Sequence, residues 1–308
     1  MRTAFSQSLI QLAQADPNVV LLTGDHGYAL FDEFRQVCPQ QYINAGIAEQ
    51  NMVGVAAGLA KAGLRPIVYG LSAFVPIRVL EQIKIDVCYE QLPVIFAGDG
   101  AGVVYSSLGS SHQSTEDIAA LRAVPHLQIL SPADAYELTA CMNLAYASAG
   151  PVYVRMGKAD LGSVHAQPLA LKAGELINIR VGQGEVAFLA TGSMVMTALT
   201  VAGQFPGSAV WSVPSIKPLS DTTVIAIART HRVLVVLEEH SILGGLGAAV
   251  AEIVTTHAPT FVCRIGIQDC FSEFCGSYAY LMQEHHLTAE DVRRQVEAFL
   301  QRLAPVSL

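Results

Sequence analysis

The sequence predicts two successive α/β domains, each built on a parallel, doubly wound sheet. Three observations carry this. Apolar runs of strand length, bounded by Gly or Pro, alternate with helical patterns from end to end. The alternation breaks once, after Arg155, and then resumes. The chain has 308 residues, of which 52% are hydrophobic and 14% charged, enough apolar sequence for two cores with large buried faces.

The opening run MRTAFSQSLIQLAQADPN reads as an amphipathic helix. It lacks the apolar centre and cleavage site of a signal peptide. Buried strands follow at NVVLLTGD, RPIVYGL, LPVIFAGD, LQILSP and PVYVRM. The segments from Ile47 to Gly63, PIRVLEQIKIDVCYE, STEDIAALRAV and ADAYELTACMNLAYAS read as helices between them. Residues 157–183 are mixed in character and read as a linker with one or two strands. The second series has strands at GEVAFLAT, SAVWSVPS, RVLVVLEE and TFVCRIGI. Its last helix opens at Thr288 with Asp291 three residues on, a variant capping box. The expected domains are therefore 1–165 and 166–308.

Several function classes are disfavoured. The net charge of -8 and the lack of a basic stripe argue against nucleic acid. No apolar run reaches the length of a bilayer crossing. None of the six cysteines forms a CxxC pair, so neither a zinc site nor a thioredoxin motif is supported, and no metal ligands are assigned to this chain. Reduced thiols and a cytoplasmic location are the expectation.

Candidate chemistry begins with two glycine-rich turns. GDGAG, residues 98–102, follows a strand and has the opening of a diphosphate and metal motif. The Asn that closes such a motif is missing, since none occurs between Gly100 and Met142. The run therefore reads as an ordinary strand-end turn. GGLG, residues 244–247, opens a helix but matches neither the P-loop nor the dinucleotide fingerprint, and close backbone packing is its expected role.

Glu49 stands at the start of a helix of small and apolar residues, where a charge entering apolar packing is costly unless paired or protonated. One reading is a helix-start carboxylate that satisfies free N–H groups. The other is a buried acid that exchanges a proton with a bound ring nitrogen. His112, in SSLGSSHQS, is either an exposed loop histidine or a proton carrier. His26, in TGDHG, follows a strand end, where open α/β sheets place ligands. Phe74, in YGLSAFVP, is either plain core or a stacking face for an aromatic ring.

At GIAEQNMVGVAAGLAKAGLRPIV the chain closely resembles the pyrimidine-binding domain of thiamine-diphosphate enzymes of the transketolase family, including 1-deoxyxylulose-5-phosphate synthase. The resemblance continues through LEQIKIDV, LGSSHQSTEDIAALRAVPHLQILSPAD and PVYVRMGK. ATGS and VLEEHSILGGLGAAVAE resemble the transketolase C-terminal domain. It implies a pyrimidine-binding domain followed by that C-terminal domain. Glu49 is then the cofactor-activating glutamate, whose carboxyl bonds pyrimidine nitrogen 1′ and stabilises the 4′-imino tautomer. Phe74 is the stacking aromatic, and Asp25 an acidic residue near cofactor and substrate. His112 and His26 face the substrate, and Arg155 holds a sugar phosphate.

Single-chain members of the family begin with a further domain that binds diphosphate and metal. The resemblance thus implies the second half of a split transketolase. An N-terminal-half partner would carry the intact GDG…N motif and hold Mg2+ or Ca2+, in an α2β2 heterotetramer acting on a sugar or sugar phosphate. Two departures bear on specificity. Leu108 stands where transketolases have an acidic residue that reads the acceptor hydroxyl, and Gly100 aligns with a second, phosphate-assisting histidine. Donor and acceptor stay open. A 2-oxo-acid decarboxylating or ligating component, either deoxyxylulose-phosphate-synthase-like or dehydrogenase-β-like, is the alternative. A degenerate regulatory subunit is a third reading, disfavoured by Glu49, Phe74 and His112 occurring together.

Overall fold

The computed structural model describes residues 1–27, 29–158 and 161–303. Among these residues the first sheet has seven strands. They are β1 (Val19–Thr23), β2 (Tyr42–Asn44), β3 (Arg65–Leu71), β4 (Ile95–Asp99), β5 (Gln128–Leu130), β6 (Val152–Met156) and, from far along the chain, β10 (Ser215–Lys217). The second sheet holds β7 (Ile177–Arg180), β8 (Val186–Ala190), β9 (Ala209–Ser212), β11 (Val233–Ser241) and β12 (Phe261–Ile267). The spatial orders are β10-β5-β6-β4-β3-β1-β2 and β12-β11-β8-β9-β7.

Parallel pairing dominates both sheets, as the long apolar runs predict. Among the described strands, only β10 against β5 and β7 against β9 are antiparallel. The central strands β1, β4, β6 and β8 are buried on both faces, and alternate residues feed separate cores. Val19 and Leu21 join the core under the helices Arg2–Ala15 and Ala135–Ala147. Val20 and Leu22 join the core under the helix Glu49–Lys61. The second sheet divides in the same way, with Phe188 on one face and Leu189 on the other. This is the doubly wound α/β architecture in each half.

The expected strands and helices are present with three differences. SAVWSVPS is not one strand. It is cut at Val213 and Pro214, so β9 stays in the second sheet while β10 crosses to the edge of the first. Pro214 has no N–H to give a ladder, which suits a break. Lys217 secures the crossing by donating to the carbonyls of Arg122 and Val124. The stretch 76–90 is not a uniform helix. It runs from a 3-10 turn, Ile77–Val79, through one α turn, Leu80–Gln82, into a wider π turn, Ile83–Cys88. The short strand β2 has no strong apolar signal and pairs with β1 through Leu21–Tyr42 and Leu22–Ile43. At the far end Thr288 does cap Asp291, as the motif predicts, and opens the helix Ala289–Leu303.

Candidate active site

The C-terminal ends of β1, β3 and β4 lie side by side, where open α/β sheets gather functional side chains. β1 delivers Asp25 and His26, β3 delivers Phe74, and the segment after β4 delivers Leu108 and His112. The helix after β2 starts at Glu49. Ala48, its cap residue, makes no side-chain cap bond.

Phe74 is the centre of the group. The His26 ring lies 5.6 Å from it, and the His112 ring meets it edge-on at 5.3 Å. Asp25 Oδ1 stands 3.2 Å from His26 Nε2. Glu49 is buried, and its Oε1 accepts a bond of 2.9 Å from Arg78 Nη1. The same guanidinium lies over the Phe74 ring, 4.0 Å from its centroid. Glu49, Phe74, His26 and His112 are therefore one constellation, with Asp25 attached through His26. Leu108 is exposed on the turn Ser106–Leu108, four residues before His112. Arg78 was not foreseen from the sequence. No motif marks it, since its partner Glu49 is 29 positions away.

Arg155, expected from the resemblance to hold a sugar phosphate, does not contact this group. It is only 3% exposed and faces the protein interior. Its Nε donates to Asp117 Oδ2 at 2.8 Å, and Nη2 donates to the carbonyls of Ser114 and Glu239 at 3.1 and 3.0 Å. Tyr153 donates to the same Asp117 oxygen at 2.7 Å. The physical reason is neutralisation. Asp117 is fully buried and needs a cation, and Arg155 is the one at hand.

The two glycine turns are occupied by the chain itself. Asp99 accepts from the hydroxyls of Tyr69 and Tyr105 at 2.8 and 3.1 Å. Gly100 has φ +76°, and a Cβ there would lie 2.0 Å from the Tyr105 ring. At GGLG, the helix Leu246–His257 receives an internal anion. Glu238 accepts from Leu246 N at 2.7 Å and Gly247 N at 2.9 Å. Burial nevertheless pushes Glu238 up to about 7.

The EEH stretch on β11 also braces the segment that carries His112. Glu239 Oε1 accepts from Val103 N at 2.8 Å, and Oε2 accepts from Ser193 and Tyr278. Burial raises the Glu239 carboxyl, and these bonds oppose the rise. His240 Nε2 accepts from Ala119 N, which leaves the proton on Nδ1 facing Ser241 O. Burial holds His240 down at about 4. Ser241 N donates to Thr115 O at 2.7 Å. The second sheet thus grips residues 102–119 from behind.

The chain is similar to known proteins over nearly its whole length. Residues 1–163 match the transketolase pyrimidine-binding domain family, and residues 176–292 match the transketolase C-terminal domain family. The 6-deoxy-6-sulfo-D-fructose transketolase subunit SqwH of Clostridium sp. (strain MSTE9) is 33% identical over 98% of this chain and 95% of its own length. An apulose-4-phosphate transketolase subunit of Phocaeicola vulgatus is 34% identical over 87% of both chains. The solved structure of a split gene transketolase, an inactive beta4 tetramer, superposes with a TM-score of 0.88 at 33% identity, covering 96% of each chain. Two matched domains in this order, shared with relatives that are themselves separate subunits of similar length, make this chain a member of the transketolase family, of the C-terminal-half subunit type.

Proposed function

We propose that this chain supplies the pyrimidine pocket of a two-component thiamine-diphosphate enzyme that moves a two-carbon ketol unit from a ketose to an aldehyde. The observation that carries the reading is the meeting of Glu49 and Phe74 on one planar, N–H-bearing group, the Arg78 guanidinium. An aminopyrimidine has the same flatness and the same edge nitrogens, so the two residues fit it. When bound, thiamine diphosphate supplies the electron sink for the carbanion. Glu49 holds and returns a proton at the ring nitrogen, a role its buried Oε1 suits. Phe74 orients the ring by stacking. His26 and His112, both in ring contact with Phe74, hold a proton at a substrate oxygen, and Asp25 orients His26.

The diphosphate and its Mg2+ or Ca2+ belong, in this reading, to an N-terminal-half subunit with an intact GDG…N motif, in an α2β2 assembly. The occupied Asp99 and Gly100 support this, because tyrosines fill the place of a ligand there. The substrate is a sugar or sugar phosphate. Leu108, exposed on the His112 loop, supports an acceptor that differs from an ordinary aldose phosphate at one hydroxyl. Arg155 takes no part in phosphate binding, because its guanidinium is spent on Asp117 and two carbonyls. Six unbridged cysteines support a reducing, cytoplasmic setting.

The test uses Glu49→Gln in the enzyme reconstituted with its partner. Hydrogen–deuterium exchange at the cofactor's thiazolium carbon should slow by about 10²-fold or more, as expected when an acid–base group is lost. Exchange at the wild-type rate would reduce Glu49 to a helix-start residue. Carbon dioxide release from pyruvate would instead select the decarboxylating alternative.

A further inference from the structure

Arg78 contacts both residues that the pyrimidine reading requires. We infer that Arg78 is a gate over the pyrimidine pocket: its guanidinium and the cofactor ring are mutually exclusive between Glu49 and Phe74. The inference rests on the proposed function for the identity of the ring.

The two groups claim the same space. Arg78 Nη1 is 2.9 Å from Glu49 Oε1, and its central carbon is 4.0 Å from the Phe74 centroid. A flat ring that bonded Glu49 at hydrogen-bond distance and stacked on the same face would need that volume. The exchange is chemically even. The Arg78 N–H donor leaves the buried carboxyl group, and Glu49 then stays paired by sharing one proton with the ring nitrogen. The gate can open, because the Arg78 side chain is 46% exposed and sits on the short turn Ile77–Val79. Its hold is limited, since the guanidinium end of the pair is half exposed and its cation–π contact is worth little in water. A closed form that outweighs the open one by about four to one raises the apparent Kd about fivefold.

The experiment uses the full chain and thiamine as probe, which carries the ring without the diphosphate. Calorimetry gives Kd for wild type, Arg78→Ala and Arg78→Lys, with Glu49→Gln and Phe74→Ala as controls. Arg78→Ala should bind thiamine about fivefold more tightly, roughly 1 kcal/mol at 1.4 kcal/mol per tenfold. Arg78→Lys keeps the charge but not the flat stack, so it should fall between. In wild type, the Arg78 Nε–H resonance should start ring-current shifted by Phe74 and lose that shift as thiamine saturates. Equal or weaker binding by Arg78→Ala, or a resonance that does not move on saturation, overturns the gate while leaving the pocket intact. Thiamine binding that ignores Glu49→Gln and Phe74→Ala, or no binding by any variant, overturns the pocket and the gate together.

Discussion

Replacing Arg155 by Met keeps most of the aliphatic stem and removes the guanidinium. Three acceptors then lose a donor: Asp117 Oδ2 at 2.8 Å, Ser114 O at 3.1 Å and Glu239 O at 3.0 Å. Asp117 is fully buried, and among the described side chains it keeps the Tyr153 hydroxyl as its hydrogen-bond donor. Breaking one side of a buried ion pair costs about 3–5 kcal/mol, against about 5–15 kcal/mol of total stability. Between about a fifth and all of that margin should vanish. The second variant, Asp117→Asn, keeps an oxygen for Tyr153 but strands the Arg155 charge. The double variant removes both charges and should cost less than the sum of the singles by at least about 1 kcal/mol. Urea unfolding would be followed by circular dichroism and by the fluorescence of Trp211. That tryptophan is the only one in the chain and stands on β9, so it reports the second sheet. Both signals should shift, because Arg155 on β6 bonds a carbonyl of β11. A loss under about 1 kcal/mol for Arg155→Met refutes the buried-pair reasoning. So does unchanged stability with weaker binding of a phosphorylated sugar in the reconstituted enzyme, which would restore Arg155 to the substrate.

Glu238 and His240 should give opposite pH slopes. Glu238 is pushed up to about 7 from an ordinary 4.5, so its stabilisation is complete below pH 4.5 and lost as pH rises through 7. His240 is held down at about 4 from an ordinary 6.5, so its stabilisation is complete above pH 6.5 and lost as pH falls through 4. The two nearly cancel between about pH 5 and 7. His240→Gln should therefore gain about 2 kcal/mol on going from about pH 7 to 5, and Glu238→Gln should lose about as much. Denaturation profiles of both variants that parallel wild type would contradict this. Gly102→Ala should destabilise by at least about 2 kcal/mol, measured by thermal unfolding. Its Cβ would lie 2.3 Å from Glu239 Oε1, at a residue with φ +71°. Leu108→Asp should move the ratio of kcat/KM toward hydroxylated aldose phosphates. An aliphatic side chain leaves a facing hydroxyl without a partner, at about 1–3 kcal/mol. An unchanged ratio would mean that Leu108 does not read the acceptor.

The sequence by itself determined the two parallel-dominant sheets, the helix start at Glu49, the Thr288 cap and the family. These follow from signals read within a few residues, such as an apolar run, a Gly or Pro boundary, or a motif like GIAEQ. The tertiary structure alone decided which charges meet. Arg78 finds Glu49 across 29 positions, and Arg155 finds Asp117 and the Glu239 carbonyl across 38 and 84. It also decided that the run SAVWSVPS serves both sheets and that Glu238 fills the GGLG helix start. The physical reason is that a buried charge takes whichever counter-ion the packed strands bring within about 4 Å, and no local pattern encodes that neighbour.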